Sequence, residues 1–150
     1  MRELAMALTL VWAGLAFAFA QTATADELTI ETATGSHVFL VETATTAQER
    51  AVGLMNRTYM ARDAGMLFDF GETRAVAMWM RSTFIPLDML YIRADGTVAG
   101  IHENAIPHDE TALPSPEPVR FVLELNGGVA AQISARPGDR VDHPLIDALR

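Results

Sequence analysis

Cysteine is absent from this chain of 150 residues. That excludes disulfides, thiolate metal sites, a cysteine nucleophile and a lipid anchor on cysteine. Lysine is absent too: all eleven basic residues are Arg, the side chain suited to planar, bidentate pairing with carboxylates. Aromatic residues make up 7% of the chain, only 20% of residues are charged, and the formal net charge is −8. An acidic protein is repelled by phosphate backbones and anionic lipid, so nucleic acid and membrane surfaces are poor partners. After the first 25 residues no apolar run is long enough to span a bilayer. A G-x-S-x-G elbow, a phosphate-binding glycine loop and a Rossmann fingerprint are all missing, and no cofactor is expected.

Half of the residues are hydrophobic, so the chain is rich enough in apolar side chains to fold around a core. The N-terminus has the layout of a secretory signal. Arg2 opens a thin charged region, and Leu4 to Ala20 is apolar apart from Thr9 and Gly14. Small residues then stand at −3 and −1 spacing in Ala18-Phe19-Ala20 and again in Ala23-Thr24-Ala25. The expectation is a signal peptide over residues 1–25, cleaved after Ala20 or Ala25 or kept as an anchor, and an exported, periplasmic or secreted domain over 26–150. Once the signal is removed, no membrane association is expected.

The rest of the chain reads as short strands. Leu28 and Ile30 alternate with Thr29 and Glu31, Thr34-Gly35-Ser36 turns, and His37 to Thr43 returns, which is a hairpin. Thr46-Ala47-Gln48-Glu49 is a capping box, predicting a helix from Ala47 to about Met55 with Ala47, Ala51 and Leu54 toward the core. Gly65 opens a strand through Phe70, and Gly71 to Arg74 is a turn. Ala75 to Met80 is apolar on both faces and predicts a central, doubly covered strand. Leu87 to Arg93 is a second such strand, joined through Asp95-Gly96 to a return strand over Thr97 to Glu103. Asn104 to Pro118, with four prolines, reads as a surface loop. Val119 to Leu125 is a strand, Val129 to Ala135 one or two helical turns, Arg140 to His143 a last strand, and Pro144 to Arg150 a weak helix or frayed end. Seven to nine short strands with one or two small helices predict a mainly β, single-domain fold, a β-sandwich, jelly roll or barrel.

Three groups of residues are candidates for chemistry. Asp88 and Glu124 each interrupt an apolar strand, and buried carboxylates need partners. Arg57, Arg81 and Arg120 are the cations available. Two carboxylates near an Arg make either a structural ion-pair network, a binding pocket or an acid–base pair. Met55, Met60, Met66, Met78, Met80 and Met89 offer thioethers, which suit Cu(I) but also fill core gaps. Met78 and Met80 are expected on one face of a strand, with Trp79 on the other. His102-Glu103 and His108-Asp109 could ligate a divalent ion, although Ile106 breaks the H-E-x-x-H pattern. His37 and His143 read as ordinary surface residues.

The blocks Gly53-Leu54-Met55-x-Arg57, Gly65-Met66-Leu67-Phe68 and Trp79-Met80-Arg81-x-Thr83-x-x-Pro86-Leu87-Asp88 resemble the domain of unknown function 192 family. Asp95-Gly96-x-Val98, the run from His102 to Pro107, Val122-Leu123-Glu124-Leu125 with Gly128, and Gly138-Asp139-x-Val141 continue the resemblance, which covers about residues 37–142. It implies a mainly β fold of jelly-roll or sandwich type and no assigned activity. Met78 departs from an aromatic before the Trp, and Ser82 stands where the family usually has Asn. The matching positions imply a pocket drawn from Arg57, Trp79, Met80, Arg81, Thr83, Asp88 and Glu124.

The reading favoured is a binding module for a small polar ligand. An enzyme using Asp88 and Glu124 as acid and base, and a periplasmic copper-handling protein using Met78, Met80 or the His102 and His108 loop, remain as alternatives. No protein partner is named by the sequence.

Overall fold

The computed structural model describes residues 25–150; the expected signal peptide lies outside the described residues except for Ala25. Strand β1 (Asp26–Thr32) and β2 (Gly35–Ala44) form the expected hairpin. Helix α1 (Ala47–Val52) then leads to β3 (Ala64–Arg74). A two-residue strand, β4 (Ala77–Met78), precedes β5 (Leu87–Ile92) and β6 (Val98–Ala105), which pair around Asp95-Gly96. Then come β7 (Leu113–Pro114), β8 (Val119–Asn126), α2 (Val129–Gln132), β9 (Arg140–Asp142) and α3 (Pro144–Asp147).

Seven of these strands make one sheet in the order β6-β5-β8-β3-β2-β1-β9, and β4 pairs with β7 in a separate ribbon. Every pairing in the large sheet is antiparallel except β2 with β3, which run parallel; a parallel pair needs a crossover, here residues 45–63. The sheet curls into a half-barrel. Its two edges meet at one end, where Val98 N–H donates to the Asp139 carbonyl, Gly138 N–H to the Val98 carbonyl and Val141 N–H to the Gly96 carbonyl, each at 2.8 Å.

The central strands are buried on both faces, so each serves two cores. Leu67 of β3, Leu90 and Ile92 of β5, and Phe121, Leu123 and Leu125 of β8 join residues of β1, β2, β6 and β9 in an inner cluster. Only the concave side lets both edge strands contribute to one cluster. Met66 and Phe68, Met89 and Tyr91, and Val122, the alternate residues of the same strands, form an outer cluster with Leu54, Val76, Met80 and Val119. The period-2 alternation of a strand produces this division. Gly65 belongs to it: a Cβ there would stand 2.7 Å from the Glu124 carbonyl and 2.8 Å from Leu125 Cδ2, so only glycine lets β3 lie this close to β8.

Several expectations are corrected. Ala75 to Met80 is not a central strand. Its apolar character on both sides has another cause: Val76 and Met80 are buried in the outer core, whereas Trp79 between them is 51% exposed. Helix α1 has both halves of its capping box but ends at Val52, and none of its residues is buried. Gly53, at φ 46°, stops it, and Leu54 enters the core from beyond the helix. Residues 71–74 continue β3 rather than forming a separate turn, and the proline-rich loop contains β7. His143 is 2% exposed rather than a surface residue. Its Nδ1 accepts from Leu145 N–H at 3.2 Å and caps α3, while its Nε2 is buried without a partner. Burial pushes its pKa below the usual histidine value, against the opposing pull of Asp26 and Asp147.

Asp88 ties three elements together. Fully buried on β5, it accepts from Asn104 N–H at the end of β6 and from Ala130 N–H in the first turn of α2, both at 2.8 Å. The residue preceding α2, Gly128, has no side chain to cap it, so Asp88 supplies the cap from across the sheet. Asp88→Ala would leave the buried Ala130 N–H and the partly buried Asn104 N–H unpaired and is expected to cost roughly 2–4 kcal/mol in urea unfolding. A cost below about 1 kcal/mol would show that these bonds do not hold the fold.

Candidate functional site

Strands β5 and β8 are neighbours, with Asp88 opposite Leu125 and Met89 opposite Glu124. Directly opposed residues share a face of the sheet. Asp88 therefore lies with the inner cluster and Glu124 with the outer one, on opposite sides of the sheet. The two carboxyl groups do not converge, and an acid–base pair made of both is ruled out by strand register. The expected Arg partners are also elsewhere. Arg57 makes a bidentate pair with Glu42, which holds the Glu42 carboxyl below the usual carboxylate range. Arg120 grips Asp69 through Nε at 3.0 Å and through its second nitrogen at 3.2 Å. Arg81 has no side-chain partner among the described residues.

Glu124 is the unusual group. It is 4% exposed, and no donor among the described residues reaches its carboxyl. Burial alone pushes its pKa up to about 8, so it is a neutral carboxylic acid at neutral pH. Neither carboxyl oxygen belongs to the occluded, partnerless atoms, a class that His143 Nε2 alone fills among the described residues. They open instead onto a cavity of about 30 Å³ lined by Gly53, Phe68, Trp79, Arg81, Thr83 and Glu124 among others. That volume holds one or two water molecules. Tyr91 stands on the same face; burial first, then the Glu124 charge, pushes its hydroxyl up to about 12, and it donates to the Leu113 carbonyl at 2.7 Å.

Of the residues expected in a pocket, Trp79, Arg81, Thr83 and Glu124 come together here, and Met78 and Arg50 join them. Met80 and Asp88 are fully buried in the two cores, and Arg57 is held by Glu42. Arg50 carries no motif and was not legible as a site residue; the α1 capping box places its helix but not its cavity. Thr83 is buried and donates to the Arg81 carbonyl at 3.2 Å, which sets the bend of the segment carrying Trp79. Ser82, where the resemblance leads one to expect Asn, has φ 51°. Asn tolerates that left-handed conformation better than Ser, so the departure concerns backbone strain next to the cavity.

The thioethers serve as packing. Met60, Met66, Met80 and Met89 are buried within the outer cluster, the gap-filling role of methionine, and Met78 lies on the cavity wall. His102 sits on β6 beside Met89. His108 is exposed and meets Phe84 edge-on, with ring centroids 4.7 Å apart. No group of three or more His, Asp or Glu suited to a metal occurs among the described residues.

Because the folded protein holds a proton on Glu124 that the unfolded chain releases near pH 4.5, Glu124 adds stability below that pH. The contribution falls as pH rises and is gone above about pH 8. Comparing Glu124→Gln with the parent isolates this term from the other carboxylates. The variant is expected to gain a few kcal/mol relative to the parent between pH 5 and pH 9. Parallel pH–stability curves would show that Glu124 is ordinary in both states.

The comparisons agree with this fold. A crystal structure from Sinorhizobium meliloti 1021, designated provisionally as a transcription regulator, is 51% identical with a TM-score of 0.78, covering 81% of this chain and 96% of that one. A protein of unknown function from Novosphingobium aromaticivorans DSM 12444 is 43% identical with a TM-score of 0.76, covering 78% of this chain and 84% of that one. A search of curated proteins returns no match. The family model for the domain of unknown function 192, described as uncharacterised ACR, matches residues 29–143. The resemblance read from the motif blocks thus holds over most of the chain, and the protein belongs to the domain of unknown function 192 family.

Proposed function

We propose that the protein is an exported binding module that takes a narrow polar group, such as a sugar hydroxyl, into the cavity in front of Glu124. The observation that carries this reading is the carboxyl of Glu124, on a nearly buried residue, reached by no donor among the described residues and opening onto a cavity. A nearly buried carboxyl that no protein donor reaches relies on whatever occupies the cavity, water or a ligand group, to complete its hydrogen bonds. A neutral carboxyl both donates and accepts, which suits a hydroxyl or amide. The cavity admits one functional group rather than a whole metabolite, so the body of the ligand would rest on Trp79, whose half-exposed ring gives a flat apolar surface.

The provisional designation of the Sinorhizobium relative does not extend here to nucleic acid, because the formal net charge of −8 opposes a phosphate backbone. Export rests on the residue 1–25 pattern. It predicts a mature protein beginning at Gln21 or Asp26 in the periplasmic or culture fraction, checked by intact mass. A chain retaining Met1 in the cytosolic fraction overturns export without touching the site.

The binding reading is tested by thermal shift with neutral monosaccharides, polyols, amino acids and nucleotides. At saturation at least one is expected to raise Tm by about 4 °C or more, and Trp79→Ala, a change at an exposed position, is expected to weaken its binding roughly tenfold or more. Absence of any shift across these classes, or full binding by both Trp79→Ala and Glu124→Leu, overturns the site.

A further inference from the structure

The Glu124 cavity does not end at Trp79. Arg50, Phe68, Met78 and Trp79 also line a second depression of about 100 Å³, which extends over Phe70 and Ala77. Two guanidinium groups stand over the Phe70 ring, Arg50 and Arg74, each 5.4 Å from its centroid. Arg50 is held by the Thr45 and Asp69 carbonyls, neutral acceptors that leave its charge unbalanced. Arg74 makes no side-chain hydrogen bond among the described residues, and neither does Arg81 on the wall of the deeper cavity.

The nearby acids do not answer this charge. Asp69 is committed to Arg120, and Glu49 closes the α1 capping box. Glu72, between Phe70 and Arg74 in the chain, is exposed and makes no ion pair among the described residues. Glu124 is neutral at neutral pH, as described above. A protein of formal net charge −8 thus places two arginines on the walls of these joined depressions, Arg50 and Arg81, and a third, Arg74, over the Phe70 ring beside them; none of the three makes an ion pair among the described residues, and the unpaired acid nearest in the chain, Glu72, is exposed. Unbalanced like charges on one surface repel one another and attract a counter-charge, and an arginine fork fits planar oxyanions.

We propose that the ligand of this groove is a small hydroxylated organic anion, whose carboxylate or phosphate lies on the Arg50–Arg74 shelf while a hydroxyl reaches Glu124 past Trp79. The inference rests on the binding reading above and adds the charge of the ligand. Phe70 holds both guanidinium groups within cation–π distance, Trp79 separates the anionic end from the hydroxyl end, and Arg81 adds a third positive charge beside the cavity.

The test compares glucose, gluconate and glucose 6-phosphate by calorimetric titration of the mature protein at pH 7. The anions are expected to bind roughly tenfold or more tightly than glucose, with an advantage that shrinks as salt rises. Arg74→Gln, an exposed position with no internal bonds to lose, is expected to remove most of that advantage and leave glucose binding unchanged. Arg136→Gln, in the turn before β9, is the control and should leave both unchanged. A preference for gluconate over glucose 6-phosphate, or the reverse, tells a carboxylate from a phosphate. Equal binding of glucose and the two anions, or an anion preference that survives Arg74→Gln and Arg81→Gln, overturns the inference and leaves the Glu124 reading standing. Binding of none of the three at millimolar concentration overturns the ligand class altogether.

Discussion

Burial of β3, β8 and β5 on both faces is the constraint from which the rest of the molecule follows. Each of these strands alternates between two cores, and every residue position is thereby assigned to the inside of the curl or to its outer surface. A shift of register by one residue would exchange the two sets. The Gly65 approach to β8 and the Asp88 bonds to Asn104 and Ala130 hold that register. Asp88 lies on the inner face, where backbone N–H groups of β6 and α2 meet its carboxyl and no Arg does.

The outer face treats its own acid differently. Glu124 sits one residue away from the Asp88 partner position on β8, nearly as buried but facing a cavity, and no donor among the described residues meets it. The layer over it is made of irregular chain, the residues after α1 and those around β4, which leaves a gap where the inner face has a helix end. Desolvation at Glu124 is met by no donor and pushes its pKa up to about 8. A group of this kind is costly to a fold and useful to a site, and its position beside Trp79, Arg50 and Arg81 joins the two considerations.

Much of the fold was legible. The capping box from Thr46 to Glu49, the Asp95-Gly96 hairpin and the runs at Met66 to Phe70, Leu87 to Ile92 and Val119 to Leu125 carry local signals strong enough to specify an element. Ala75 to Met80 misled because an apolar residue beside an open cavity has the same composition as one in a core. Three of the seven residues expected in one pocket, Arg57, Met80 and Asp88, lie away from the cavity that Trp79, Arg81, Thr83 and Glu124 share, and for Asp88 the reason is related: it and Glu124 both interrupt apolar strands, and nothing local says to which face a strand turns each of them. Arg50 and Arg74 were invisible because the shelf they share is assembled by Phe70, from a different part of the chain.

Sequence alone determined the family, the mainly β class, the two buried acids and the lack of any thiol or lysine chemistry, because these depend on residue identity and short-range pattern. Which acid is satisfied, which faces a cavity and which arginines stay uncompensated were decided only by the tertiary structure. Strand pairing sets the face of each side chain, and burial against a particular neighbour, rather than burial as such, sets whether a charge is matched or left open.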